Sequence, residues 1–290
     1  MRANIGLFLT KRAQLGGELE ALVELERGRR FRYAELEARS NRIANALAGL
    51  GVQKGDRVAV LMMNGVEYLE CYFGLAKIGG VLVPLNWRLV PSELEFILND
   101  SGSTALLYDS EFDDTAAALR ELETPLATWV RVGSGTAPSD VVLDYDAVQG
   151  AASSDLPEIA AEGDDDLFIM YTSGTTGSPK GVVHSHDTMI AASTTISLTA
   201  DMRLGDRFLQ VLPMFHVGAL SPGTSVIHRG GTQVMMRSFD PAAVFPASRA
   251  TSVTRDLRSW RTSTGRVRLQ MMRSPSQWPT SALCSTFSGR

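Results

Sequence analysis

An α/β fold with largely parallel sheets flanked by helices is predicted by two features of the sequence. Short, nearly continuous apolar runs such as "VAVLMM", "VLVPL" and "ALLY" recur along the chain, the pattern of strands covered on both faces. Between them lie longer segments with apolar residues near a 3.6 period, closed by glycine, proline or aspartate. Strands alternating with helices argue parallel pairing through crossover connections.

The elements follow in order from Phe31. "YAELEARSNRIANALAGLG" sets Leu36, Ile43, Leu47 and Leu50 on one helical face, with Gly51 as the stop. "DRVAVLMM" is a buried strand. "EYLECYFGLAKIGG" is a helix with Tyr68, Tyr72, Leu75 and Ile78 on one face, ended by Gly79 and Gly80, and "VLVPL" is the next strand. "PSELEFILNDSG" opens with Pro91 at a first helical position and keeps Leu94 and Ile97 together. "TALLYD", "FDDTAAALREL" and "TWVRV" then read as strand, helix and strand. Small and acidic residues mark loops over 133–140 and 150–166. Beyond them "LFIMY", "FLQVLP" and "TQVMM" are strands, "DTMIAASTTISL" is a helix, and "SFDPAAVF" begins another.

At 290 residues, 44 % hydrophobic and 21 % charged, the chain has the composition of a soluble globular protein with a substantial core. Cys71 and Cys284 match no metal or disulfide spacing and are read as packing residues. The apolar stretch from Ile5 to Leu9 is shorter than a secretory signal requires, and no run approaches the roughly 18–20 apolar residues of a membrane span. These points are read as a cytoplasmic protein without an integral membrane segment.

One stretch departs from the apolar periodicity. "YTSGTTGSPKG", residues 171–181, combines glycines, hydroxyl side chains and a single lysine directly after an apolar strand. Glycines let successive backbone N–H groups converge, hydroxyls add donors, and Lys180 adds a cation, a combination suited to phosphate oxygens. The P-loop spacing fails: counted from Gly174, the second glycine would fall at Pro179, and Lys180 is followed by Gly181 rather than Ser or Thr. A flexible linker is the bland alternative, but the abutting strand and the Pro-Lys-Gly exit are unlike one.

"YTSGTTGSPKGVVHSH" closely resembles the phosphate-binding signature of the adenylate-forming superfamily, which includes acyl-CoA synthetases, beetle luciferases and the adenylation domains of peptide synthetases. "FRYAELEARSNRIANAL", "GDRVAVLMMNGVEYLECYFGLAKIGGVLVPLNWRL" and "LVPSELEFILNDSG" resemble that family's N-terminal domain in the same order, and "VLPMFHVGAL" its next segment. The resemblance runs over residues 7–245 and is nearest to the acyl-CoA synthetases acting on fatty acids. It implies an incomplete N-terminal domain of the adenylate-forming fold, with the mobile C-terminal domain absent. It also implies activation of a carboxylic acid by ATP to acyl-AMP, then transfer to coenzyme A, with Mg2+ assisting. On this resemblance Thr172, Ser173, Gly174, Thr175, Thr176, Gly177 and Lys180 hold the β- and γ-phosphates and then pyrophosphate, and His216 stands beside the acyl carboxylate and adenylate. No metal ligand is assigned: His184 and His186 lack a third partner and read as polar residues leaving the loop, and Asp164 to Asp166 as a solvated loop. Trp87 and Arg88 are read as structural.

The family also uses a Tyr-Gly-x-Thr-Glu segment and a C-terminal lysine, yet no Tyr follows Tyr171, no Lys follows Lys180 and no Glu follows Glu162. The chain is therefore expected to be catalytically incompetent alone. The alternative to an acyl-CoA synthetase is a non-catalytic fragment or pseudoenzyme with a partial ATP phosphate loop. Residues 1–245 are expected to form the partial domain, and residues 246–290 an aberrant, disordered tail. That tail carries eight arginines, nine serines and six threonines against one acid, Asp256. Out-of-frame translation is the favoured reading of it. A genuine basic extension for an anionic partner is the other, although the pattern fits no nucleic-acid module.

Overall fold

The computed structural model describes residues 3–135, 141–172 and 179–253. In chain order, α1 (Gly6–Gly16), β1 (Glu20–Glu24), β2 (Arg30–Arg32) and α2 (Tyr33–Gly49) come first. They are followed by β3 (Arg57–Leu61), α3 (Val66–Ile78), β4 (Val81–Pro84), α4 (Pro91–Ser101) and β5 (Ala105–Asp109). After a 3-10 turn come α5 (Asp113–Arg120), β6 (Thr128–Val132), β7 (Val142–Asp144) and α6 (Tyr145–Ala151). The remainder is β8 (Asp166–Thr172), β9 (Lys180–Ser185), α7 (His186–Thr199), β10 (Arg207–Gln210), α8 (Val217–Arg229), β11 (Thr232–Met235) and α9 (Pro241–Ala250).

Two sheets result, in the strand orders β10-β11-β1-β2 and β7-β6-β5-β3-β4-β8-β9. Pairing is parallel throughout except for β1 with β2 and β8 with β9. On β3 the alternation of side chains divides the interior. Val58 and Val60 face a core shared with α1, α2, α3 and α8 and with Leu22 and Met235 of the smaller sheet. Ala59 and Leu61 face α4 and α5. Helix α9 packs Ala243, Val244 and Ala247 against Leu209 and Val234 on the other face of the smaller sheet. The layers therefore run helix, sheet, helices, sheet, helices, with apolar residues on both sides of each sheet.

Helix α3 lies in the central layer, and every one of its residues is buried. The sequence predicts a helix with one apolar face; the position between two sheets leaves no solvent face. Its charged residues are accommodated by partners. Glu67 meets Arg27 and Arg29, Glu70 meets Arg39, Tyr145 and Gln149, and Lys77 Nζ lies 2.7 Å from Glu37 and 2.6 Å from Asn41. Buried charges persist only when paired in this way. Gly79 ends the helix at φ +79°, and an added Cβ there would meet Lys54 Cγ at 2.9 Å.

Several elements were not anticipated by periodicity: α1, β1, β2, β7, α6, β9 and α8. The first, α1, contributes Leu9 to the core, beside its N-cap residue Ile5, from a mixed, weakly periodic stretch. Helix α9 runs through Pro246 to Ala250, so the change of sequence character expected at 245/246 falls inside a helix. Of the predicted loops and tail, residues 136–140 and 254–290 lie outside the described residues.

Candidate functional site

In open parallel sheets functional side chains collect at the carboxyl ends of the strands, because neighbouring connections that leave to opposite faces of the sheet open a crevice there. Three such ends matter here. Strand β8 ends at Thr172, parallel β4 leads into Leu85–Arg88 (85–88), and β10 of the smaller sheet leads into residues 211–216.

The first grouping is a hairpin. β8 and β9 pair antiparallel from Asp166 opposite Ser185 to Thr172 opposite Lys180, so the glycine- and hydroxyl-rich segment spans the end of a closed ladder. Paired residues place their Cα atoms about 5 Å apart, so Lys180 stands across the mouth from Thr172, and both are exposed. Ser173, Gly174, Thr175, Thr176 and Gly177 lie outside the described residues. The hairpin is anchored just below its mouth. Tyr171 OH donates to Asp100 Oδ2 of α4 at 2.6 Å. Gly181 sits opposite Tyr171, where an added Cβ would meet Ile169 Cγ2 at 2.8 Å and the Tyr171 ring at 3.1 Å. The ring therefore lies across a position that only glycine leaves open.

The two histidines after the motif are inward-packed rather than polar residues leaving a loop. His184 stacks on its cross-strand partner Phe168 with ring centroids 4.6 Å apart. His186 is 1 % exposed, opens α7, and accepts a hydrogen bond from the Ile5 amide at Nδ1, 3.1 Å away. Burial pulls its pKa down to about 4, with a small further push from Lys54, against the pull of Asp165 and Asp187. Among the described residues no three His, Cys, Asp or Glu side chains converge on a metal position, and Asp165 is held by Lys54 at 2.7 Å.

The second grouping surrounds His216. It is the N-cap residue of α8, extended at φ −107°, with its side chain free of capping duty. The ring leans on Phe215 (centroids 4.3 Å), and Phe215 meets Trp87 edge-on at 6.1 Å. The Arg88 guanidinium lies over Trp87 at 4.5 Å and 5.9 Å from the Phe215 centroid. Among the described residues Arg88 pairs with no carboxylate. Although His216 is open to solvent on one side, packing and then the Arg88 cation hold its imidazole below the usual histidine range, favouring the neutral form. Trp87 and Arg88, read from sequence as structural, are thus part of the surroundings of His216. Their position immediately after a buried parallel strand was the available signal. Among the described residues no hydrogen bond or ring contact joins Thr172 or Lys180 to His216.

The AMP-binding enzyme family matches residues 9–256. The chain is 42 % identical over 243 residues to the long-chain-fatty-acid–CoA ligase FadD13 of Mycobacterium tuberculosis (strain ATCC 25618 / H37Rv), covering 83 % of this chain and 47 % of that protein. It is 35 % identical over 251 residues to a feruloyl-CoA synthase of Amycolatopsis sp, covering 86 % and 47 %. The inhibitor-bound N-terminal domain of FACL13 from Mycobacterium tuberculosis superposes with a TM-score of 0.79 at 39 % identity, over 87 % of this chain and 62 % of that one. The chain spans about half the length of the curated relatives it matches. With the signature, the fold and the family match coinciding over the same residues, the chain belongs to the AMP-binding enzyme family.

Proposed function

We propose that this chain carries the phosphate-binding and acyl-side elements of an AMP-forming acyl-CoA synthetase that activates a fatty acid. The observation that carries the reading is the hairpin that sets Lys180 opposite Thr172 at the mouth of the glycine- and hydroxyl-rich segment. The relatives named as a CoA ligase and a CoA synthase support a carboxylic acid and coenzyme A as co-substrates, and the FadD13 likeness favours a fatty acid.

In the reaction a carboxylate oxygen attacks the α-phosphorus of ATP, the bond from that phosphorus to the β-bridging oxygen breaks, and pyrophosphate leaves. The thiolate of coenzyme A then attacks the acyl carbonyl and AMP departs. Most of the help such a step needs is positioning and stabilisation of charge on phosphate oxygens. Lys180, Thr172 and the donors of residues 173–177 would hold the β- and γ-phosphates. His216 in its neutral form would lie beside the acyl carboxylate, bordered by Phe215 and Trp87. The described residues offer no protein cage for Mg2+, which would enter with the nucleotide's phosphates.

A second reading, a non-catalytic fragment that only binds nucleotide, is favoured by one observation. Within these 290 residues no lysine follows Lys180 and no glutamate follows Glu162. Titration with a fluorescent ATP analogue tests the part common to both readings: Lys180→Ala should weaken binding at least about tenfold, the size of one charge-assisted hydrogen bond. Binding indifferent to Lys180, or none, would sink the phosphate-site assignment. ATP–pyrophosphate exchange with a fatty-acid panel then separates the two. The expected outcome for this chain alone is no exchange above background, and Lys180-dependent exchange would decide for the competent enzyme.

A further inference from the structure

The backbone that delivers Phe215 and His216 is held from one place outside its own sheet. Asn64, between β3 and α3, is 6 % exposed and uses its amide in full. Its Nδ2 donates to the carbonyls of Leu212 and Met236, each at 3.0 Å, and its Oδ1 accepts from the Met214 amide at 2.8 Å. One turn into α3, Tyr68 OH donates to the Met214 carbonyl at 3.1 Å. The Leu212 carbonyl has a second donor in Gln210 Nε2 at 2.9 Å. Among the described residues Met214 has no such reserve, and its amide and carbonyl depend on Asn64 and Tyr68 respectively. This donor and acceptor pattern also fixes which way the Asn64 amide faces, since the reverse orientation would set oxygen against two carbonyls.

A tie serving only to hold two sheets together would need one bond. Here both polar side-chain atoms of Asn64 are spent on the segments following β10 and β11, and one of its partners, Met214, lies two residues before His216. We infer that Asn64, with Tyr68 beside it, is the positioning residue of the 212–216 segment, setting where the His216 imidazole and the Phe215 ring stand relative to Trp87 and Arg88. Its weight in catalysis rests on the reading of His216 given above; the positioning itself is measurable without turnover.

Backbone hydrogen exchange and the titration of His216 by NMR in the full 290-residue chain test this, the resonance being assigned with His216→Gln. In Asn64→Leu, branched at Cγ like Asn but unable to hydrogen-bond, the Met214 amide should exchange at least about tenfold faster relative to the amides of β3. The His216 titration should rise toward the ordinary histidine range as the ring leaves Phe215 and Arg88. Tyr68→Phe should move both readouts the same way by less. Ile43→Val, a core change remote from the segment, should lower protection evenly and leave His216 where it was. Parent-like relative protection at Met214 with an unshifted His216 in Asn64→Leu would overturn the assignment, as would an equal His216 shift in Ile43→Val. Should Asn64→Leu not fold, Tyr68→Phe decides alone, and unchanged readouts there overturn it. Nucleotide binding through Lys180 can fail while these shifts appear, so the two proposals fall separately.

Discussion

Arg88 illustrates how a single exposed residue acquires a role from its neighbours. Its guanidinium rests on Trp87 and near Phe215, an arrangement that planar, weakly hydrated Arg tolerates better than Lys would. The cation disfavours a second positive charge on His216, adding to the effect of packing. Replacing it tests that electrostatic coupling directly. In Arg88→Gln the His216 titration, followed by NMR, should move up but stay below the ordinary range, because packing against Phe215 remains. An unmoved titration would show that the two groups do not sense each other. Sequence made His216 a candidate through the flanking "PMFHVG", whereas for Arg88 it offered only a position just after a buried strand, since its contact with Phe215 joins segments more than a hundred residues apart in the chain.

At the level of elements, the hairpin and the helix that follows it are tied to the start of the chain. Nδ1 of His186, the first residue of α7, accepts from the Ile5 amide, and the buried ring has its pKa pulled down to about 4. Between that value and the unfolded value of 6.5 the unfolded chain binds more protons than the folded one. Stability contributed here is therefore complete above about pH 6.5 and is lost as the pH falls toward 4, by at most about 3 kcal/mol. Denaturant unfolding across this range should show a steeper acid loss in the parent than in His186→Asn, whose side-chain oxygen can still accept from Ile5 without titrating. Equal pH dependence in both would remove His186 as the cause. Strand β9 itself was hidden from periodicity. "KGVVHS" sits at a sheet edge with Val182 and Val183 both exposed, so the alternation that marks a half-buried strand is missing.

On the scale of the whole molecule, the order of the larger sheet reverses between β3 and β5, and the carboxyl end of β5 meets the segment after β11 of the smaller sheet through the ion pairs of Arg237. Arg237, just after β11, donates to Asp109 Oδ2 at 2.9 Å and to Glu111 at 2.6 Å, while the Met63 amide donates to the same Asp109 oxygen at 2.8 Å. Asp109 is 3 % exposed, and burial raises its pKa even with the arginine beside it. Arg237→Met would leave a buried carboxylate without its cation. The expected cost is about 3 kcal/mol at neutral pH, measured by denaturant unfolding. The cost should shrink as the pH falls and the carboxyl becomes neutral. A loss that is small, or that does not change with pH, would show that the two sheets are joined mainly by apolar contact.

The sequence by itself determined the alternating α/β class, most strands and helices from 31 onward, and the glycine- and hydroxyl-rich segment that follows β8. Each of those is written locally, in apolar periodicity, caps such as Pro91 and Gly102, and donor-rich composition. Tertiary structure alone decided that α3 has no solvent face, that β8 and β9 form a hairpin with Lys180 opposite Thr172, and that Asn64, Trp87 and Arg88 gather around the 212–216 segment. Those outcomes depend on which layers pack on which and on strand order, and neither periodicity nor local spacing carries that information when the partners are distant in the chain.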